Sequence, residues 1–285
     1  MKLREITAKN LLLDLLRSTK STAWPVKKLI HVACMFNISE NSVRVTLSRL
    51  ASRGFIEADE RGFYQITTAY NPVRNWIDDW SKGEDRIKEW NQRWLCIHPP
   101  LKIRKTDWQS LIETGLRLGF KVVEDRMLVR PDNLALSRES ISELVEAMSG
   151  VTDLIYSSPK ELYSDDLALN LALLWNRSAL EQGYRRGVKR LKSSMRRQKN
   201  LKSLEALRES ILVGGEAIRI LALDPLLPDS MINKSLRIEL DTTTKEYNAL
   251  YQQPWELFLG TGSIENLPQI MDLDAFGALP SGSQQ

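Results

Sequence analysis

The sequence predicts an α+β protein of several domains. The order of its patterns changes twice along 285 residues: three helical patterns and a β-hairpin come first, strands and helices then alternate, and long helical patterns end the chain. With 42% hydrophobic and 27% charged residues, the composition is that of a folded soluble protein. The length is sufficient for two or three compact units.

The first two predicted helices carry their apolar residues on one side each. In the first helix, which begins near Thr7, these residues are Leu11, Leu12, Leu15 and Leu16. Pro25 suits the start of the second helix, whose apolar face runs from Leu29 to Phe36. Both helices are therefore expected to pack on a common core.

A third predicted helix follows after a turn of only two residues. Ser39 is a suitable N-cap for it, and Gly54 is a suitable residue at its end. At helical spacing, the residues expected to point inward are Val43, Leu47 and Leu50. Two strand patterns, 55–58 and 63–67, come next around a turn.

Three helices followed by a hairpin are typical of a winged helix-turn-helix DNA-binding domain, here residues 1–70. This segment has 11 Lys and Arg against 6 Asp and Glu, which suits a polyanionic partner, although solubility alone would also explain the excess. Its wing carries Arg61 among acidic residues that would repel phosphates. The wing is therefore the weaker part of the prediction.

The outward face of the third helix is polar, basic and small-sided, as entry into the major groove requires. We predict that this face and the wing bind DNA through Asn41, Arg44, Val45, Ser48, Arg49, Ser52, Arg53 and Arg61. Residues near the helix start are expected at base edges, and Arg49 and Arg53 at phosphates. Because every surface helix has a polar face, the prediction depends on the position of this helix before the wing.

The remainder of the chain divides into four predicted segments. Residues 71–92 form a linker helix that breaks near Gly83. Residues 93–160 have the βαββαβ order of a ferredoxin-like central domain. Residues 161–259 form a helical C-terminal domain with helices near 164–182, 184–222 and 241–259, and residues 260–285 form an irregular tail.

A second basic segment, residues 185–202, is rich in Lys and Arg and has no acidic residue. Val188, Leu191 and Met195 lie at helical spacing, so an amphipathic helix with a positive outer face is expected. Three interpretations stay open: a solvated face balanced by acids elsewhere, a site for a phosphate-rich ligand, and an auxiliary contact with DNA.

Motifs for catalysis are absent from the sequence. Two histidines allow no H-E-x-x-H motif or catalytic triad, and Gly260-Thr261-Gly262 lacks the third glycine of a nucleotide loop. Cys96 and His98 share one strand face, as a dyad or metal pair would, but a structural role is favoured. We therefore expect no enzyme, cofactor or metal.

Other features indicate the compartment and the packing. The cysteines, Cys34 and Cys96, are expected to be free, buried thiols of a reducing compartment. No apolar run approaches the ~18 residues of a membrane helix, and the first residues lack a signal-peptide pattern, so a cytoplasmic protein is expected. Trp76, Trp80 and Trp90 are expected to pack between domains with Trp94, although an aromatic pocket is the alternative.

Three segments together resemble the phenylacetic acid degradation repressor (PaaX) family. They are NISENSVRVTLSRLASRGFIEADERGFYQIT at 37–67, WNQRW at 90–94 and LDPLLPDSMI at 223–232. The resemblance implies a homodimeric repressor on a palindromic operator of duplex DNA, released by an aryl-coenzyme A thioester inducer such as phenylacetyl-CoA. An operon of aromatic-acid catabolism would be its target.

The resemblance also implies a central domain similar to small CRISPR-associated nucleases. Its first strand ends at Pro99-Pro100 without the acidic residue that a nuclease metal needs, so nuclease activity is not expected. The residues predicted to bind the effector are Trp94, Trp175, Arg185, Arg186, Lys189 and Arg190. The alternatives are an enzyme acting on CoA thioesters or nucleic acid, and a ligand-independent interaction module.

Overall fold

The computed structural model describes residues 6–17, 23–67, 72–162, 171–198 and 203–259. These residues form a mixed α/β protein with nine α-helices and two antiparallel sheets. None of the helices within the described ranges is both long and apolar enough to span a membrane. The predicted tail, 260–285, lies outside the described residues.

By their contacts, the residues group into two compact units. Unit 1 takes the described residues of 1–70, 187–219 and 242–272, and unit 2 takes those of 71–186 and 220–241. The long C-terminal helices are thus shared between the units, whereas the sequence predicts a separate helical domain over 161–259. The division of the chain into domains that follow one another in sequence stays a prediction.

Unit 1 begins with three helices and three short strands. They are α1 (Ala8–Arg17), β1 (Trp24–Pro25), α2 (Val26–Cys34), α3 (Glu40–Ser52), β2 (Ile56–Ala58) and β3 (Phe63–Ile66). The strands pair in the order β1-β3-β2, with Trp24 opposite Tyr64 and Ile56 opposite Ile66. Pro25 precedes α2 as predicted, but strand β1, of two residues, was not predicted.

Helices α1 and α2 pack through apolar residues on the sides that helical spacing predicts to be buried. Leu11, Leu12, Leu15 and Leu16 are all buried, as are Leu29, Val32 and Ala33 of α2. This agreement follows from the helical spacing of these residues, which is a local property of the sequence.

Unit 2 begins with helix α4 and contains the four-stranded sheet. Its elements are α4 (Pro72–Asp78), a 3-10 helix (Asp79–Arg86), β4 (Trp94–His98), α5 (Lys105–Arg117), β5 (Lys121–Val123), β6 (Met127–Pro131), α6 (Arg138–Ser149) and β7 (Ile155–Ser157). The strand order is β5-β6-β4-β7, and every pairing is antiparallel. The break predicted near Gly83 is present, because Gly83 has φ 55° and ψ −123° inside the 3-10 helix.

Three long helices follow a short 3-10 helix at Leu171–Leu174. They are α7 (Arg177–Arg197), α8 (Ser203–Ala222) and α9 (Lys234–Leu259). The sequence predicts a helix boundary at Gly183 and a start of the last helix near 241; both are wrong, because α7 continues through Gly183 and α9 begins at Lys234. Part of the helix predicted at 164–182 lies outside the described residues.

In unit 2, buried polar side chains hold residues 224–228, which we call the proline segment. The Asp224 carboxylate accepts a hydrogen bond from the Leu226 amide at 2.7 Å. Arg130 donates to the Pro225 carbonyl at 3.0 Å, and Asn133 donates to the Leu226 carbonyl at 2.8 Å. Because these backbone groups are buried, the side chains supply the hydrogen bonds that water cannot.

Candidate nucleic-acid interface

Helix α3 is fixed at its start and along one side. The Ser39 side chain accepts a hydrogen bond from the Ser42 amide at 3.2 Å, which confirms the predicted N-cap. Val43, Leu47 and Leu50 are buried, as the sequence predicts. This apolar side packs toward α1 and α2, so the opposite side of α3 is left to solvent.

All eight residues predicted to bind DNA are exposed. Seven belong to α3 and its C-terminal end, and one belongs to the turn between β2 and β3: Asn41, Arg44, Val45, Ser48, Arg49, Ser52, Arg53 and Arg61. Val45 stands out because 41% of this apolar residue is accessible to solvent. An exposed apolar side chain among polar ones fits contact with a thymine methyl group.

Arg44 is held by a neighbour that the sequence prediction did not include. Its Nε lies 2.9 Å from Oε1 of Glu40, and its Nη2 lies 2.7 Å from the same oxygen. Glu40 therefore contacts the edge of the guanidinium that is formed by Nε and Nη2. The N–H groups of Nη1 and Nη2 at the far end of the guanidinium are left for another acceptor. A bidentate contact with guanine O6 and N7 needs two such donors, so this end remains suitable for reading a base.

The hairpin of β2 and β3, which is the predicted wing, is built around Asp59. Its carboxylate accepts hydrogen bonds from the amides of Arg61 at 3.0 Å and Phe63 at 2.8 Å, and Gly62 has φ +78°. Glu57 accepts a hydrogen bond from Gln65 at 3.3 Å across the hairpin. Two of the wing acids thus stabilise the hairpin, and Arg61 projects from its turn.

The C-terminal turns of α9 support α2 and β1 within unit 1. Lys28 of α2 donates to the Phe258 carbonyl at 2.5 Å, and its ammonium lies 4.6 Å from the centroid of the Phe258 ring. Trp24 and the fully buried Trp255 meet edge to face with centroids 6.2 Å apart. These contacts join residues about 230 positions apart in sequence, and helical spacing alone does not reveal them.

The cysteines differ from each other. Cys34, the last residue of α2, is exposed, so the prediction that it is buried is wrong; the apolar side of α2 is formed by Leu29, Val32 and Ala33 instead. Cys96 is buried as expected, and burial raises the pKa of its thiol to about 11. A thiol that stays protonated is a poor nucleophile, and the His98 imidazole lies 2.9 Å from Ser157 Oγ.

The structure therefore lends no support to a Cys96–His98 catalytic pair. Across the part of the chain that is described, no group of three or more His, Cys, Asp or Glu side chains is placed to hold a metal ion.

The tryptophans predicted for the effector site are brought together in unit 2. The rings of Trp94 and Trp175 stack with centroids 6.2 Å apart and planes inclined by 16°, and Trp90 meets Trp94 edge to face at 5.3 Å. Trp175 is buried and donates to the Gly119 carbonyl at 3.0 Å. Trp76 is also buried, in line with a packing role for most of these rings.

The basic residues predicted for the effector lie along α7. Arg185, Arg186, Lys189 and Arg190 are all exposed. Arg185 lies 3.8 Å from Glu181, and Arg190 forms an ion pair with Glu216. Part of the positive charge of this segment is therefore balanced within the fold.

A cavity of about 460 Å³ lies in unit 2 beside the proline segment. Its lining consists of Glu84, Ile87, Lys88, Glu89, Trp90, Asn133, Pro228, Asp229, Ser230 and Lys234. The lining contains three carboxylates and two ammonium groups, so it does not favour a polyphosphate. The predicted effector residues do not appear in this lining, and Trp90 supplies its aromatic wall.

Comparison with known proteins gives a family match for the N-terminal segment of the chain. The model of the family described as PaaX-like protein matches residues 8–69. The resemblance to the PaaX family is therefore confirmed for this segment. The matched residues contain α3 and the hairpin of β2 and β3, and the family indicates a transcriptional regulator.

A solved structure extends the likeness of fold beyond the PaaX-like segment. The uncharacterized protein Rv0674 from Mycobacterium tuberculosis is similar over 88% of this chain and 98% of its own, with a TM-score of 0.60 and 18% identity. At this identity the likeness concerns the fold alone. No curated protein matches the sequence.

Proposed function

We propose that this chain is a sequence-specific DNA-binding repressor of transcription. Unit 1 would act as a winged helix-turn-helix with α3 as its recognition helix. The observation that carries the proposal is the division of α3 into a buried apolar side and an exposed polar and basic side, inside the segment that matches the PaaX-like family. A helix so divided is able to enter a groove about 12 Å wide without uncovering the core.

The residues take their roles from their chemistry and position. Asn41 and Arg44 pair with adenine and guanine edges, and Val45 and Ser48 approach the next base pairs. Farther along the helix, the exposed cations contact phosphates, which fix the orientation of the helix but carry no sequence information. Arg61 of the wing adds one phosphate contact, while Asp59 serves the turn.

For unit 2 we propose a ferredoxin-like domain. The βαββαβ order with the strand order β5-β6-β4-β7 supports this assignment. The unit would receive the effector, an aryl-CoA thioester, with its ring near Trp94 and Trp175 and its phosphates near Arg185 and Arg186, which belong to the same unit.

The regulated state would be a homodimer on a palindromic operator of an aromatic-acid catabolic operon. Two recognition helices must then stand ~34 Å apart to enter successive major grooves. An effector releases the operator only if it binds more tightly to a state with another spacing.

The experiment is a selection of bound sequences from a random duplex library with the purified protein, repeated with phenylacetyl-CoA present. We expect an enriched palindrome and a lower yield with the thioester. The Arg44→Ala variant should lose preference at one position of each half-site, whereas Arg53→Ala should weaken binding to all sequences alike. A wild-type selection without enrichment would refute sequence-specific repression.

A further inference from the structure

Helix α7 has three distinct faces. Stepping about 100° per residue, the side turned to the protein interior carries Tyr184, Val188, Leu191 and Ser194, all buried. This face explains the apolar spacing inside the basic segment. The charged residues lie on the other two faces, which differ in how many of their charges are paired with acidic side chains.

On one charged face, two arginines meet acids of α8. Arg190 pairs with Glu216, and Arg197 lies 2.6 Å from Glu209. Both pairs lie within unit 1. The charges of these two arginines are therefore balanced by the fold, as expected if this part of the basic segment is a solvated face with acids nearby.

Within unit 1, the other charged face carries Lys189, Lys192 and Arg196, which we call the outer basic stripe. Arg185, one turn before them on the same face, lies 3.8 Å from Glu181. At positions i, i+3 and i+7 the residues of the stripe fall on a single line along the helix, and all three are exposed. Of the residues that the structure describes, no carboxylate lies within ion-pair distance of Lys189 or Arg196. The stripe spans roughly 10 Å at 1.5 Å per residue.

We infer that the outer basic stripe binds the phosphate backbone of duplex DNA beyond the contact made by α3. This inference rests on the proposed function only for the identity of the polyanion. One DNA strand carries a phosphate every 3.4 Å along the axis, so a stripe of this length spans about three phosphates. The stripe belongs to unit 1, as α3 does, whereas the cavity and the stacked tryptophans belong to unit 2.

Other partners fit the stripe less well. Binding to a membrane surface needs large apolar side chains beside the cations, and α7 has none among the exposed large hydrophobic residues of the described chain. The core of a protein interface is depleted in Lys. A row of exposed cations without apolar neighbours is what contact with phosphates requires.

The test compares two double variants of the full chain. Lys189→Gln with Arg196→Gln removes two charges of the stripe, and Arg190→Gln with Arg197→Gln removes the same charge from the balanced face. The affinity for a random-sequence duplex of about 30 base pairs is measured against salt concentration. Each phosphate contact contributes ~0.9 to the slope of log K against log salt, so the stripe variant should lose roughly 2 from this slope.

The same relation gives the expected change in affinity. Two lost contacts lower the affinity about 60-fold at 0.1 M salt, while the control variant should keep the wild-type slope. The single variants should each lose about half of the change in slope, which separates the effect from a folding defect.

The outcomes are distinguishable. A stripe variant with the wild-type slope, or a control variant with an equal loss, overturns the inference and leaves the proposed function standing. If the stripe variant loses slope but the wild-type chain enriches no sequence in the selection, the inference about the stripe is supported and the proposed sequence-specific repression is refuted. A wild-type chain that binds no duplex at low salt overturns both.

Discussion

Replacement of Gly119 by alanine should destabilise the protein through its contact with the proline segment. Gly119 has φ +81°, and a Cβ built on it would lie 2.7 Å from the Pro225 Cα and 2.9 Å from the Pro225 carbonyl oxygen. These are backbone atoms, so they yield only if the proline segment shifts. The segment is held there by Arg130, which donates to the same carbonyl.

Gly150 provides the matched control. It has φ +70° and no atom within 4 Å of the Cβ position. Gly150→Ala therefore measures the cost of the left-handed backbone alone, about 1 kcal/mol. Gly119→Ala adds the displacement of the segment, and each buried hydrogen bond lost with it costs roughly 1–3 kcal/mol.

We expect Gly119→Ala to lower the free energy of unfolding by about 2–4 kcal/mol more than Gly150→Ala does. Equilibrium unfolding in urea, followed by tryptophan fluorescence, gives both values under the same conditions. Equal losses in the two variants would refute the idea that the approach of Gly119 to Pro225 matters for stability.

Three further predictions concern unit 1 and the sheet. Ser39→Ala removes the N-cap of α3 and should cost ~1 kcal/mol of unfolding free energy in urea; an unchanged midpoint would contradict this. A thiol reagent should rapidly label one cysteine per native chain, Cys34, and Cys96 only after unfolding; two fast equivalents would be inconsistent with the burial of Cys96. Glu40→Gln should raise the affinity for random duplexes a few-fold and reduce discrimination at the base read by Arg44, as fluorescence anisotropy with operator and random duplexes would show; unchanged discrimination would exclude Glu40 as a positioning residue.

The elements set by local patterns could be predicted from the sequence. The start of α3 follows from the hydroxyl of Ser39, and its buried side follows from the spacing of Val43 and Leu47. The same spacing leaves the other side of α3 to solvent, so the sequence also predicts which of its side chains are exposed. Their contacts with bases and phosphates stay predictions.

Contacts between distant parts of the chain could not be predicted. The exposure of Cys34 depends on which neighbours cover the end of α2, and Trp24 meets Trp255 only because α9 returns to unit 1. Nor does the sequence show which cations of α7 are balanced. Arg190 and Lys189 are adjacent and both positively charged, but only the position of α8 brings Glu216 to one of them.

The burial of Arg130 is a further feature that could not be predicted from the sequence. Pattern analysis expects an arginine to be exposed, yet this one is fully buried, and burial lowers the pKa of its guanidinium to about 9. Its partners include the carbonyls of Leu118 and Pro225. Because every residue has a backbone carbonyl, the residue types do not reveal which carbonyls accept these hydrogen bonds. A buried charge is tolerated only where such acceptors replace water. Arg130 and Asn133 therefore give the proline segment a role in the packing of unit 2.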